Sequence, residues 1–203
     1  MMKLWYAPAS PFVRKVVITC DEAGLSDQIE LHRVDTNVID SDEELRRHNP
    51  VGKIPTLVLD DGAVLYDSRV ICAYLDELNP GNKLIPAESG PKFRAMTLEA
   101  LADGIMDAAV NSRYETALRP KEYRWEGWVA GQFQKIETGL DSLEANHGSD
   151  LNGPLSIGVI AVGCALGYLE FRFDDFDWSK GRPGLSAWYE EFKTRPSMIN
   201  TIP

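Results

Sequence analysis

Hydrophobic residues come in runs whose spacing changes along the chain, and each change marks an element. Lys3–Ala7 is a short apolar run rich in aromatics, the pattern of a buried strand. Val13, Val16, Val17 and Cys20 then recur at helical spacing, and Gly24 is placed to close that helix. Ser10-Pro11 just ahead of them reads as an N-cap followed by a proline at the first helical position. Ile29–Val34 alternates like a strand. Ser41–Pro50 starts with capping and acidic residues and stops at a proline, which predicts a short helix. Thr56–Tyr66 is two strands around an Asp61-Gly62 turn, a hairpin signal. Val70, Ile71, Tyr74, Leu75 and Leu78 share one face of a further helix that ends at Asn79-Pro80-Gly81.

The order β-α-β-α-β-β-α requires two parallel strands joined by a right-handed crossover and an antiparallel hairpin. From Pro80 to Pro91 the composition is that of a linker. Beyond it the pattern is helical throughout, over Lys92–Leu118, Trp125–Asn146, Leu155–Phe171 and Arg182–Arg195. Leu155–Phe171 is nearly all apolar, as a central buried helix would be. We expect an α/β domain over 1–79, a linker over 80–90 and an all-α domain over 91–203.

The formal net charge of −10, with no basic run, argues against a nucleic-acid surface, which needs clustered Lys and Arg. The longest apolar segment, Leu155–Leu169, is too short to span a bilayer. Pro8, Pro11 and Arg14 interrupt any apolar stretch that could serve as a signal peptide. Cys20, Cys72 and Cys164 are far apart with no CxxC, which suggests buried thiols in a reducing compartment. A cytoplasmic location follows as an expectation. No metal-ligand spacing occurs among the histidines and cysteines, so no metal is expected.

Four local features then stand in a telling order: Ser10-Pro11-Phe12 at the first helix, Asn49-Pro50 before a loop, Lys53-Ile54-Pro55 entering the hairpin, and Asp67-Ser68 opening the third helix. With the domain order, they make the whole chain resemble the cytosolic glutathione S-transferases, closest to bacterial and plant (tau-like) enzymes with a serine at the catalytic turn. The resemblance implies a thioredoxin-like first domain, a helical second domain, glutathione as co-substrate, no other cofactor, and a homodimer.

It also implies roles. A cis Ile54–Pro55 bond would present the Ile54 backbone to the cysteinyl unit of glutathione, pairing with it like an added strand. Ser68, at a helix N-terminus, would bind the γ-glutamyl carboxylate, Asp67 the ammonium, and Lys53 the glycyl carboxylate. Ser10 would donate to the glutathione sulfur and favour the thiolate. A hydroxyl has one proton and two lone pairs, so Ser10 can cap and activate at once. Redox-active relatives carry C-P-x-C at this turn; here the positions read Ser10-Pro11-Phe12-Val13, which disfavours disulfide chemistry. Cys20 reads as a core residue.

A small apolar electrophile should bind beside the sulfur, between the domains. Phe12, Met106, Val110 and Tyr114 are the candidates to meet it, although the last three form a stripe that also suits a helical core. Tyr114 could instead present its hydroxyl. The chain departs from the family at Ser156-Ile157-Gly158-Val159, where the central helix usually opens with Ser/Thr-x-x-Asp; replacing Val159 by Asp is expected to restore a capping box and raise stability. A non-catalytic ligand-binding module and a glutathione-dependent reductase of thiols or peroxides are the competing functions.

Overall fold

The structure is a computed structural model describing residues 1–203. It divides into two compact units, Met1–Ala87 with Pro196–Pro203, and Glu88–Arg195. The elements of the first are β1 (Met2–Tyr6), α1 (Pro11–Glu22), β2 (Ile29–Arg33), α2 (Glu43–His48), β3 (Thr56–Val58), β4 (Val64–Leu65), α3 (Ser68–Leu78) and, at the chain's end, α9 (Pro196–Ile199). The second holds α4 (Ser89–Ala117), α5 (Glu126–Asn146), α6 (Gly148–Leu151), α7 (Ile157–Arg172) and α8 (Pro183–Phe192). Single 3₁₀ turns at Ser26–Gln28 and Lys121–Tyr123 complete the inventory. No helix is long and apolar enough to cross a membrane.

In the first unit the sheet runs β2-β1-β3-β4. β1 is parallel to β2, with Leu4 opposite Leu31, and antiparallel to β3, with Trp5 opposite Thr56. β3 and β4 close the hairpin, with Leu57 opposite Leu65. Leu4 and Trp5 are both buried, so β1 is covered on both faces, as the central strand of a mixed sheet must be. Trp5 gathers Val34 and Leu45 into a small core. α1 ends as the sequence requires: Gly24 takes φ +69°, Leu25 N–H bonds Cys20 C=O at 2.9 Å and Gly24 N–H bonds Asp21 C=O at 3.0 Å, a Schellman closure. All three cysteines are free and buried. Desolvation pushes the Cys20 thiol up to about 11, against a smaller pull from a Ser26 hydrogen bond, so it stays protonated and unreactive at neutral pH.

The C-terminal segment departs from the expected boundary, which placed everything to residue 203 in the helical domain. Residues 196–203 belong to the first unit. Arg14, buried on α1, donates to Met198 C=O at 3.0 Å and Thr201 Oγ1 at 3.2 Å, and Ser197 Oγ donates to Glu22 at 2.6 Å. These bonds satisfy a buried guanidinium that would otherwise be costly.

In the second unit α7 is buried at every position from Ile157 to Leu169. Its glycines make that possible. A Cβ on Gly158 would strike the Ala95 carbonyl, and one on Gly163 the Phe192 ring. α8 has no capping side chain of its own; Glu144 of α5 instead accepts from Gly184 N–H at 3.1 Å and Leu185 N–H at 2.7 Å. A carboxylate suits that position, where unpaired N–H groups and the helix dipole meet. At the α4 end, Glu115 accepts from Trp125 N–H at 2.9 Å and Arg119 Nε at 2.7 Å, which ties the connection into α5.

Two expectations for stability follow. Ser156 Oγ accepts from Val159 N–H at 3.4 Å, so the cap exists, and Val159 is 2 % exposed. An aspartate there would carry its charge into a buried position, which argues for the opposite sign to the sequence-based expectation. Val159→Asp should lower the melting temperature by several degrees, a loss of about 1–3 kcal/mol, and a thermal scan decides between the two signs. The hydrogen bond from Trp125 N–H, then that from Arg119, holds the Glu115 carboxyl below its ordinary 4.5. A depressed folded-state value means stability that is complete above the unfolded value and is lost as pH falls through the folded one. Glu115→Gln should therefore melt earlier than the native chain at pH 7, and the gap should close in melts taken at progressively lower pH below about 4.5.

Candidate functional site

The strand registers bring three loops to one end of the sheet. β1 leaves the sheet at Tyr6, beside the start of β3 at Thr56, and β4 leaves at Leu65 next to the same end of β3. The turn carrying Ser10, the Ile54–Pro55 segment and the start of α3 at Asp67-Ser68 are thus neighbours on one edge.

Ser10 is the N-cap of α1. Its backbone is extended, its Oγ accepts from Val13 N–H at 3.3 Å, and its N–H bonds Ala7 C=O at 3.1 Å. No acceptor in the chain takes the hydroxyl proton. A half-buried hydroxyl with one lone pair used and its proton available, at the positive end of a twelve-residue helix, is equipped to stabilise an anion.

The second loop is held from beneath. Asn49 is 1 % exposed, and its Nδ2 donates to Lys53 C=O at 2.9 Å and to Thr56 Oγ1 at 3.0 Å. Thr56 Oγ1 donates to the same Lys53 carbonyl at 2.8 Å, while Asn49 Oδ1 accepts from Val51 N–H at 3.2 Å. Gly52, at φ +63°, lets its N–H turn back onto Asn49 C=O at 2.8 Å. The Ile54–Pro55 bond that follows is cis, the isomer the resemblance implies. The Ile54 side chain packs against Trp5, Val34 and Leu45, and its N–H and C=O bond no other backbone group. This leaves an anchored residue with a bare peptide edge. The Lys53 side chain is exposed beside it.

At the third loop Asp67 caps α3, its carboxylate accepting from Arg69 N–H at 3.1 Å, and the Tyr66–Asp67 peptide is also cis. Asp67 is exposed; Ser68 is buried at the first helical position. The helix start thus presents a carboxylate outward and a hydroxyl and N–H groups inward, suited to an ammonium and a carboxylate respectively.

The candidates for the electrophile are treated unequally. Phe12, Val110 and Tyr114 are half-exposed. Met106 is fully enclosed, so it is a core residue with no surface for a ligand, contrary to the expectation that it lines a cleft. Burial raises the Tyr114 phenol above its ordinary value, with Arg172 pulling the other way, so the hydroxyl remains a donor at neutral pH. Arg14, one turn beyond Ser10 on α1, is spent on the C-terminal segment. Two residues that shape the site were missed: Thr56, and the buried amide of Asn49, visible only as part of an Asn-Pro turn signal. An asparagine before a proline, followed within seven residues by a threonine inside an apolar strand, is the trace they leave.

Residues 9–78 match the profile of the glutathione S-transferase N-terminal domain, and residues 126–191 that of the C-terminal domain. The uncharacterised GST-like protein YibF of Escherichia coli K12 is 34 % identical over the whole of this chain and 98 % of its own. A crystal structure of a glutathione transferase family member from Pseudomonas fluorescens Pf-5, with bound glutathione, is 48 % identical, covers 100 % of this chain and 99 % of its own, and superposes with a TM-score of 0.98. A second from the same organism, with bound S-(propanoic acid)-glutathione, is 46 % identical over all of both chains, with a TM-score of 0.94. The chain belongs to the glutathione S-transferase family.

Proposed function

We propose that this protein is a serine-type glutathione transferase that ionises the glutathione thiol and conjugates it to an apolar electrophile. The observation that carries the reading is the meeting, at one sheet edge, of a free serine proton, a bare Ile54 peptide and the capped start of α3. Glutathione is a tripeptide with a thiol, two carboxylates and an ammonium, and each has a counterpart there. Ile54 pairs with the cysteinyl backbone after cis Pro55. Ser68 and the α3 N–H groups take the γ-glutamyl carboxylate, Asp67 the ammonium and Lys53 the glycyl carboxylate. Ser10 Oγ–H donates to the sulfur while its lone pair keeps Val13 N–H. The Pseudomonas relatives, bound to glutathione and to a glutathione substituted at sulfur, support both halves of the reading.

The reaction needs no metal or organic cofactor. The thiol proton passes to solvent, and the thiolate pair forms a C–S bond at the electrophilic carbon. A leaving group departs with its bonding pair, or an activated alkene shifts its pair to the neighbouring carbon and takes a proton from water. Phe12, Val110 and Tyr114 are the proposed contacts for the electrophile. A cytoplasmic homodimer is the proposed form, and the exposed Phe93 and Met96 on α4 give such an assembly apolar surface to cover.

The ultraviolet thiolate absorbance of bound glutathione tests the activation. The native protein should show the band at neutral pH, and Ser10→Ala should lose it while still binding, with turnover down about tenfold to a hundredfold for one charge-assisted hydrogen bond. A band that survives in Ser10→Ala would leave Ser10 only its capping role. No band in the saturated native protein would favour the ligand-binding module. The clamp is tested separately. Asn49→Ala removes both bonds of the Nδ2 group and should weaken glutathione binding about tenfold in a titration, with a stability loss of about 1–3 kcal/mol. Unchanged affinity would show that the Ile54 segment holds its shape without the amide.

A further inference from the structure

One cation in the second unit has no use in the site described so far. Arg172 ends α7, and its Nε is enclosed with no hydrogen-bond partner. Other arginines in this unit are committed: Arg182 to Asp141 and Trp178 C=O, Arg119 to Glu115, Arg94 to Asp150, Arg124 to Arg119 C=O, and Arg195 over the Phe192 ring. Arg172 instead lies over aromatic rings, 4.1 Å from the Phe171 ring centre and 5.9 Å from that of Tyr168. It lines an open cleft of about 450 Å³ with Phe133, Phe173, Phe176, Asp174 and Asp175. The Tyr168 phenol is also hydrogen-bonded to Arg172, and Arg172 and Arg113 both pull against the burial that raises it. Burial keeps this phenol protonated. The two aspartates of the cleft are exposed and make no ion pair with the guanidinium.

We propose that Arg172, backed by Tyr168, is a recognition site for the carboxylate of an aromatic or otherwise apolar acid, and that the electrophile conjugated by this protein belongs to that class. A guanidinium offers a planar fork of donors that matches a carboxylate, and rings already stacked on it fix that fork in place. Phe133, Phe173 and Phe176 supply apolar wall for the body of the acid, with Phe133 meeting the other two rings edge-on at 5.2 and 5.1 Å. A carboxylate would give the Arg172 guanidinium the charge partner that the exposed Asp174 and Asp175 of the cleft do not supply. The use of this site in catalysis rests on the conjugation reading; the binding does not.

Two chloroarenes that differ by one carboxylate make the test. 4-Chloro-3,5-dinitrobenzoate and 1-chloro-2,6-dinitrobenzene both accept a thiolate at the chlorine-bearing carbon, forming C–S and releasing chloride with its pair. Arg172→Gln should lower kcat/KM for the benzoate by about tenfold to a hundredfold and change it less than about twofold for the neutral arene, with partial recovery in Arg172→Lys. An equal fall for both acceptors, or none, overturns the proposal. Calorimetric titration with unreactive 3,5-dinitrobenzoate gives a readout free of turnover. The native protein should bind it at least tenfold more tightly than Arg172→Gln does, with both proteins folded by circular dichroism. Equal binding, or no binding by the native protein, overturns the proposal even if conjugation proceeds. Selective binding with neither arene conjugated would uphold the acid site and count against the transferase reading instead.

Discussion

Everything at the candidate glutathione edge depends on one buried amide. Asn49 has its side chain in the first unit's interior, where an unmet N–H or C=O is expensive, so its bonds to Lys53, Thr56 and Val51 are close to obligatory. Those bonds determine where the loop goes. Once the Lys53 carbonyl is held from two sides and the Ile54 side chain packs against Trp5, the next peptide has little freedom left, and its N–H and C=O bond no other backbone group. A ligand that pairs with that edge meets a surface already ordered, which lowers the entropy lost on binding.

The two helix starts beside it show how one physical device serves different ends. At α1 the cap is a hydroxyl, neutral, with a proton to give; at α3 it is a carboxylate that already repels anions and draws cations. Exchanging the two would spoil both. A carboxylate at position 10 would set a negative charge against a thiolate, and a lone hydroxyl at position 67 would offer no charge to an ammonium. The same economy recurs in the second unit, where α8 borrows Glu144 from α5 for its cap.

Most of the first unit was legible because its elements are local. Caps, the Gly24 closure and the Asp-Gly hairpin depend on residues within a few positions of each other, and each appears where the pattern put it. The stripe Met106, Val110, Tyr114 was harder. Steps of four residues advance 400° around a helix, so the stripe drifts by about 40° per step, from the enclosed Met106 to the half-exposed Tyr114. Spacing alone does not say where along that drift the core ends. Val159 posed a similar difficulty, since a missing capping partner is visible in sequence but the burial of its side chain is not. Arg172 left no signal, because a cation at a helix C-terminus is ordinary until its neighbours are known.

The partners of Arg14 lie more than 180 residues away, and that distance has a consequence for how the molecule can be taken apart. The chain leaves the first unit at residue 87, builds the second, and returns at 196. In the laboratory, then, the half that carries the candidate edge is not a cassette that can be lifted out by one cut. A piece ending at 87 would retain every residue of the candidate edge yet leave a guanidinium on α1, one turn beyond Ser10, without the carbonyl and hydroxyl that quiet it. Exchange of modules between relatives would have to cross over twice, or carry the last eight residues along.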